Sequence, residues 1–147
     1  MKKALSYVFM LPLLFSFALL VVKGYPPLSA DGVSVYHDEP SKMAIELRNH
    51  GFVDITVHEV FVNGKAATQA ELGISTSNHL VLGANIEDDP DISFHPLGEA
   101  AITPDRERKG HYGILVHGEE TPEGITMYYR YFGIPFTLEV PRRLLTN

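Results

Sequence analysis

Two hydrophobic patterns divide the chain: an uninterrupted apolar run at its start and a period-two alternation over most of the remaining residues. The run, Ala4–Val22, holds 19 residues without a charge, preceded by Lys2 and Lys3 and followed by Lys23. At about 1.5 Å per residue, a helix of that length covers nearly all of a hydrocarbon layer roughly 30 Å thick. The pattern predicts a transmembrane helix within residues 1–23, with a cytoplasmic N-terminus because the basic residues lie ahead of it.

Three interpretations of this run stay open: an uncleaved signal-anchor, a cleaved secretory signal and a buried helix of a soluble protein. A cleaved signal usually has an apolar core of about 7–15 residues and small residues at the cut site. This run is longer, and the weak cut sites after Gly24 and Ala30 lack the small residue expected two positions earlier. The signal-anchor is therefore the leading prediction, with secretion after cleavage as the alternative. The chain has no cysteine, which excludes a lipoprotein thiol anchor.

After a predicted proline-containing linker at residues 24–32, apolar and polar residues alternate with a period of two, as in half-buried antiparallel strands. The last of these segments contains Gly133, which predicts a bend that divides it into two strands. The alternation is clearest in four segments: 42–48, 53–62, 112–117 and 125–140.

Two local signals refine this pattern. The apolar phase slips by one residue at His58-Glu59, which predicts a β-bulge, and Asn63-Gly64 then predicts a tight hairpin. Residues 65–78 show neither period clearly and are interpreted as a polar crossover with a helical turn. Short strands are predicted at residues 79–82 and 92–95, each beside polar or proline-containing loops.

Many short strands with Gly, Pro and Asn turns predict an all-β fold, a two-sheet antiparallel sandwich over residues 33–141 followed by a short tail at 142–147. Between Lys42 and Val140 the succession of bulged strand, hairpin and late regular strands resembles immunoglobulin-like or fibronectin-III-like domains of bacterial envelope proteins. The resemblance implies that Tyr112 anchors a corner of the fold, as a tyrosine does in such domains. Tryptophan and the cysteine pair of antibody domains are both absent, so the resemblance concerns architecture alone.

Charge and cysteine content narrow the functional classes. Without Lys2, Lys3 and Lys23 the chain keeps nine basic and 18 acidic residues, a net charge of −9 with neutral histidines. Nucleic acids and anionic lipids are recognised by clustered Lys and Arg, so both are disfavoured as partners. The lack of cysteine excludes thiol catalysis and thiolate metal sites, and in an exported domain it favours a bacterial surface.

One acidic loop is a candidate cation site. Glu87 to Asp91 supplies four carboxylates in five residues, and hard cations such as calcium prefer several carboxylate oxygens on a loop. The loop lacks the glycine and the distal glutamate of an EF-hand. A solvated acidic loop is the simpler interpretation, and Asp88, Asp89 and Asp91 are the candidate ligands of the alternative.

The aromatic residues near the end of the chain suggest a partner surface. In the period-two pattern Tyr129 and Tyr131 face the core, whereas Tyr128 and Arg130 face outward together, a combination typical of binding hot spots. Catalytic signatures such as Gly-x-Ser-x-Gly and His-Glu-x-x-His are absent from the sequence.

The sequence as a whole predicts a membrane-anchored, extracytoplasmic β-sandwich that serves the cell envelope as a binding or accessory module. It has no chemistry or cofactor of its own, and its expected partner is an envelope protein. One alternative is an exported cation-binding protein that uses residues 87–91. The other is a small envelope enzyme.

Overall fold

The computed structural model describes residues 24–77, 79–83, 86–107 and 110–145. The predicted transmembrane helix at Ala4–Val22 lies outside these residues. Within the described part of the chain, no helix combines the length and the hydropathy needed to cross a membrane.

The described residues form nine strands, which build two antiparallel sheets of five and four strands. Short 3₁₀ helices at Ile86–Asp88, Asp105–Glu107 and Arg142–Leu144 lie in the connections and after the last strand. The strands are β1 (Leu28–Val35), β2 (Lys42–Asn49), β3 (Thr56–Val62), β4 (Lys65–Ala66), β5 (Gln69–Ser75), β6 (Ile92–Pro96), β7 (His111–His117), β8 (Ile125–Tyr131) and β9 (Ile134–Glu139).

The two sheets pack face to face as a sandwich, and the predicted all-β class with two antiparallel sheets is confirmed. The larger sheet has the order β1-β2-β7-β5-β6 and the smaller one the order β4-β3-β8-β9. Consecutive strands β2 and β3 lie in different sheets, as do β7 and β8, so the chain crosses repeatedly between layers. This arrangement is consistent with an immunoglobulin-like architecture.

The core lies between the sheets and follows the period-two pattern that the sequence predicts. Each aliphatic side chain buried there contributes about 1.5–3 kcal/mol relative to an exposed one. The ring of Tyr129 stacks on that of Phe136 across β8 and β9, with centroids 5.5 Å apart. The core includes Met43, Ile45, Ile55, Val57, Val60, Leu72, Ile102, Ile114, Val116, Ile125, Met127 and Tyr129.

Both local predictions near residue 60 are confirmed. The register between β3 and β8 shifts between Val57 and Glu59, which places the predicted bulge at His58. Asn63 and Gly64 connect β3 to β4 with φ angles of 52° and 80°. Gly133 follows β8 at φ 73°, so the predicted division of the last segment is confirmed as well.

Three segments differ from the prediction because contacts distant in sequence decide their structure. β1 begins at Leu28, within the predicted linker, because the Leu28 side chain is 2% exposed in the core and its backbone is in register with Asn49. The predicted crossover at 65–78 instead holds β4 and β5, and Leu72 is buried there. Val81 is buried, but residues 79–82 form no strand.

The predicted corner role of Tyr112 stays a prediction. Tyr112 is the second residue of β7, and the corner tyrosine of immunoglobulin-like folds likewise lies near the start of a late strand, where it bonds to upstream backbone. The Tyr112 hydroxyl lies 2.6 Å from Thr103 Oγ1, a side-chain partner nine residues earlier. Tyr112 thus ties the 97–107 connection to β7.

Candidate functional site

The outer face of the larger sheet is covered by the described residues between 76 and 91 (76–77, 79–83 and 86–91), here called the cover segment. Gly73 and Gly113 lie opposite each other in β5 and β7, and Val81 fills the hollow that they leave. A Cβ atom on either glycine would lie 2.8 Å from Val81, closer than real side chains approach. The cover segment also packs Ile86 against Ala44 and Leu115 in a second hydrophobic cluster.

Two polar side-chain pairs lie on the same face. Lys42 is 8% exposed and pairs with Glu87 of the cover segment, and its ammonium lies 4.7 Å from the centroid of the Tyr36 ring. Burial by itself would lower the pKa of Lys42, but the Glu87 carboxylate outweighs it and the pKa is raised. Glu46, also 8% exposed, lies 3.2 Å from His111 Nδ1. Lys42 has a carboxylate partner in the cover segment, and Glu46 has a histidine partner in the neighbouring strand. We therefore assign the first pair to attachment of the cover segment and the second to the packing of β2 against β7, rather than to catalysis.

The two ends of the cover segment bring three potential metal ligands together. His79 Nδ1 lies 3.1 Å from Asp89 Oδ2 and 3.9 Å from Asp91 Oδ2, and one ligand atom from each residue lies within 4.8 Å of the others. The Asp91 backbone N–H donates to Asp89 Oδ1 at 2.9 Å, and this bond, supported by His79, lowers the pKa of the Asp89 carboxyl. The cluster therefore places the Asp89 carboxylate beside the Asp91 side chain and an imidazole.

Access to this cluster is open on the His79 side. The side chains of His79 and Asp91 are 62% and 50% exposed, and that of Asp89 is 25% exposed. Two carboxylates and one imidazole suit zinc or another divalent cation, with water in the remaining positions.

The structure brings together two of the three sequence-predicted cation ligands. Asp89 and Asp91 belong to the cluster, whereas Asp88 lies in the 3₁₀ helix, is exposed and stands outside it. Sequence reasoning missed His79, because its approach depends on how the cover segment folds back on the sheet. A histidine eight residues before an acidic loop is by itself too weak a signal.

The predicted partner residues lie on the outer face of the smaller sheet. Tyr128 is 43% exposed and packs edge-on against Phe61, with ring centroids 5.4 Å apart. Arg130 lies two residues farther along β8 and is also exposed, while Tyr129 and Tyr131 are buried, as the alternation predicts. Tyr128 and Arg130 thus share one solvent-facing strip.

A second aromatic surface, here called the base patch, consists of Tyr25, Phe52 and Phe132. These side chains are 81%, 67% and 59% exposed and line one cleft of about 420 Å³ together with Pro26 and Pro27. They come from the start of the sandwich, the loop after β2 and the turn after β8. No period-two signal connects these positions, so sequence reasoning did not find the patch.

The base patch rests on a fixed framework. The Phe52 backbone N–H donates to the Tyr131 hydroxyl at 2.9 Å, and the Phe132 ring packs edge-on against Tyr131 with centroids 4.6 Å apart. Arg106 Nη2 donates to the Phe52 carbonyl at 2.9 Å, and its guanidinium lies 5.0 Å from the centroid of the Phe52 ring. Phe52 is therefore held in place by polar contacts, and the Phe132 ring by its contact with Tyr131.

Comparisons of the chain with protein-family models, with curated proteins and with solved structures give no match.

Proposed function

We propose that the chain is a membrane-anchored, extracytoplasmic β-sandwich that binds another protein of the cell envelope, in the manner of immunoglobulin-like accessory modules. The single observation that supports the anchor is the uncharged run Ala4–Val22, which ends six residues before β1 begins at Leu28. The acidic balance of the remainder and its lack of cysteine fit an exported domain stabilised by packing.

The proposed binding surface is the strip around Tyr128 and Arg130. Tyrosine and arginine are the residue types that most often dominate binding energy, and here both are exposed on a rigid strand. An exposed sheet face offers a broad, shallow surface, which suits a protein partner better than a small substrate. The proposal assigns no catalytic chemistry to the chain.

Membrane extraction and protease accessibility test the anchor. The full chain is expected to resist alkaline washing of membranes and to be digested by protease added outside the cytoplasmic membrane. Replacing Leu13 and Leu14 with Arg is expected to release it, because each charge at a helix centre costs about 2.5–3.5 kcal/mol of insertion free energy. Replacing the same leucines with Val is the matched control. The mass of the mature chain separates a retained anchor from a cleaved signal, and an undigested chain in intact spheroplasts contradicts the proposal.

Site-specific photo-crosslinking in cells tests the binding surface. A crosslinker at position 128 is expected to give one discrete adduct, which Arg130→Glu abolishes by reversing the charge beside it. The same crosslinker at Leu80, 47% exposed in the cover segment over the opposite sheet, is the control. Equal adducts from both positions, or none from position 128, would contradict a partner on this strip.

The cluster of His79, Asp89 and Asp91 favours a second candidate function, cation binding. If the cluster takes a cation, calcium, zinc or copper will raise the melting temperature of the chain, because a ligand that binds only the folded state stabilises it. His79→Ala and Asp91→Asn are expected to remove that shift, while Asp88→Asn, from the same acidic loop but outside the cluster, keeps it. No heat of binding and no melting shift at millimolar metal would exclude this function.

A further inference from the structure

We propose that the base patch docks into the interfacial layer of the membrane beside the anchor, so that the sandwich is held against the bilayer. The occupant of the patch is the headgroup and upper acyl region of zwitterionic lipid. This inference rests on the proposed function, because it requires Ala4–Val22 to span the membrane.

The length of chain between the run and the patch keeps Tyr25 in or close to that layer. Tyr25 follows Val22 by three residues, which reach at most about 11 Å even when fully extended. The polar layer on each side of a bilayer is about 5–8 Å thick. The chain is fixed to the sandwich shortly after Tyr25, because the His50 N–H donates to the Pro27 carbonyl at 2.7 Å and Leu28 is buried in the core.

The composition of the base patch fits an interfacial layer. Aromatic rings are favoured at the level of the headgroups, where one part of the side chain meets hydrocarbon and another meets water. Tyr25, Phe52 and Phe132 present such rings on one end of the sandwich, with Arg106 beside Phe52. An arginine in this place can keep its charged group among phosphates while its stem lies along apolar surface.

The net charge of the sandwich selects the lipid. Residues beyond Lys23 carry a net charge of −9 with neutral histidines, so anionic surfaces repel the domain as a whole. Docking through aromatic burial therefore predicts zwitterionic lipid as the better surface.

The turn between β8 and β9 gives an independent indication. Phe132 has φ 51°, a left-handed conformation that Gly, Asn and Asp adopt readily and that bulky residues disfavour. The equivalent position of the β3–β4 hairpin is Asn63, at φ 52°. A large exposed ring at this position goes against the preference for small or polar residues at positive φ. Such exceptions are expected where a side chain serves a function.

Tryptophan reporters test this placement in the full chain. The chain has no tryptophan, so Phe52→Trp, Phe132→Trp and Glu120→Trp each create a single emitter. Glu120 lies in the β7–β8 turn at the opposite end of the sandwich, about 20 Å away by the length of β7, and serves as the matched control. The variants are reconstituted in phosphatidylcholine vesicles with and without brominated acyl chains. At positions 52 and 132 we expect the tryptophan emission to be blue-shifted and mostly quenched by the brominated lipid. At position 120 we expect neither the blue shift nor the quenching.

The outcomes separate the docking proposal from the anchor. If the chain floats with the vesicles but positions 52 and 132 are not quenched, docking is overturned and the anchor stands. If the chain does not float, the proposed function fails and docking fails with it. A blue shift without lipid quenching, accompanied by a doubled mass in detergent, assigns the patch to a second copy of the chain and overturns lipid docking.

A measurement on the unaltered chain covers the case in which a tryptophan variant does not fold. Hydroxyl-radical labelling of vesicle-bound protein is expected to modify Phe52 and Phe132 several-fold less than Tyr128, although both are more exposed than Tyr128 in the structure. Labelling in proportion to those exposures overturns the proposal.

Discussion

At each end of the sandwich an asparagine side chain hydrogen-bonds to loop backbone, but one asparagine is buried and the other is exposed. At the base, Asn49 Nδ2 donates to the carbonyls of Val53 and Ile102 at 2.9 and 2.8 Å, and its Oδ1 accepts the Gly51 N–H at 2.8 Å. At the distal end, Asn63 likewise makes three bonds to backbone, and its Nδ2 donates to the Thr121 carbonyl at 3.0 Å. Asn49 is 1% exposed, whereas Asn63 is exposed.

This contrast indicates a different role for each end. The base loop is locked by buried hydrogen bonds, and its surface presents the rings of the base patch. The distal turns are organised in contact with water and carry charged groups such as Lys65, Glu119 and Glu120. A rigid apolar end beside the proposed anchor and a polar end away from it are the features that a domain held against a membrane requires.

Removing each asparagine amide should give the largest contrast. Asn49→Ala removes three hydrogen bonds, of which those to Ile102 and Gly51 are buried and that to Val53 is part-buried, so we expect a loss of about 3 kcal/mol in the free energy of unfolding. Asn63→Ala exposes its partners to water instead, and a loss of about 1 kcal/mol is expected. Urea unfolding of the two variants, followed by circular dichroism, measures both. Equal losses would mean that burial does not distinguish the two ends.

The parts of this architecture that sequence could predict are those with local causes. Alternation predicted β2, β7, β8 and β9 because one face of each meets the core. The bulge, the Asn63-Gly64 hairpin and the bend at Gly133 follow from residues adjacent in the chain. β5 was not predicted because the small residues Ala70 and Gly73 weaken its alternation.

The candidate sites depend on contacts that no local pattern records. His79 joins Asp89 and Asp91 only because the cover segment folds back on the sheet. The base patch gathers residues from three separate connections. One clue to it was readable from the sequence: Phe132 precedes a glycine between two alternating segments, where asparagine or aspartate is the favoured residue.

Replacing Phe132 with asparagine should sharpen the comparison by making the two hairpins alike. Asparagine tolerates positive φ better than phenylalanine, so we expect Phe132→Asn to gain about 0.5–1 kcal/mol in the free energy of unfolding. The same change is expected to weaken quenching of a Phe52→Trp reporter by brominated lipid, so that stability rises while docking falls.

Tyr128→Asn is the control for that change. It also removes an exposed ring, but from the middle of β8, where asparagine is disfavoured and no positive φ is relieved. We expect it to lower stability and leave lipid quenching unchanged. If Phe132→Asn also lowers the free energy of unfolding, the turn is not strained. The phenylalanine at this position then no longer indicates a function.

The smallest contrast concerns the cations at the two ends. Arg106 packs over Phe52 and bonds to its carbonyl, so Arg106→Ala is expected to lose about 0.5–1 kcal/mol in the free energy of unfolding, as cation–π contacts at exposed sites do. Lys65 lies 3.2 Å from Glu119 and 3.5 Å from Glu120 with all three side chains more than 60% exposed, and solvent screening leaves such pairs almost without effect on stability. Lys65→Ala is therefore expected to leave the urea midpoint unchanged within error, with or without added salt. If Lys65→Ala lowers the free energy of unfolding as much as Arg106→Ala does, the distal end is held as firmly as the base. The proposed difference between the two ends would then be contradicted.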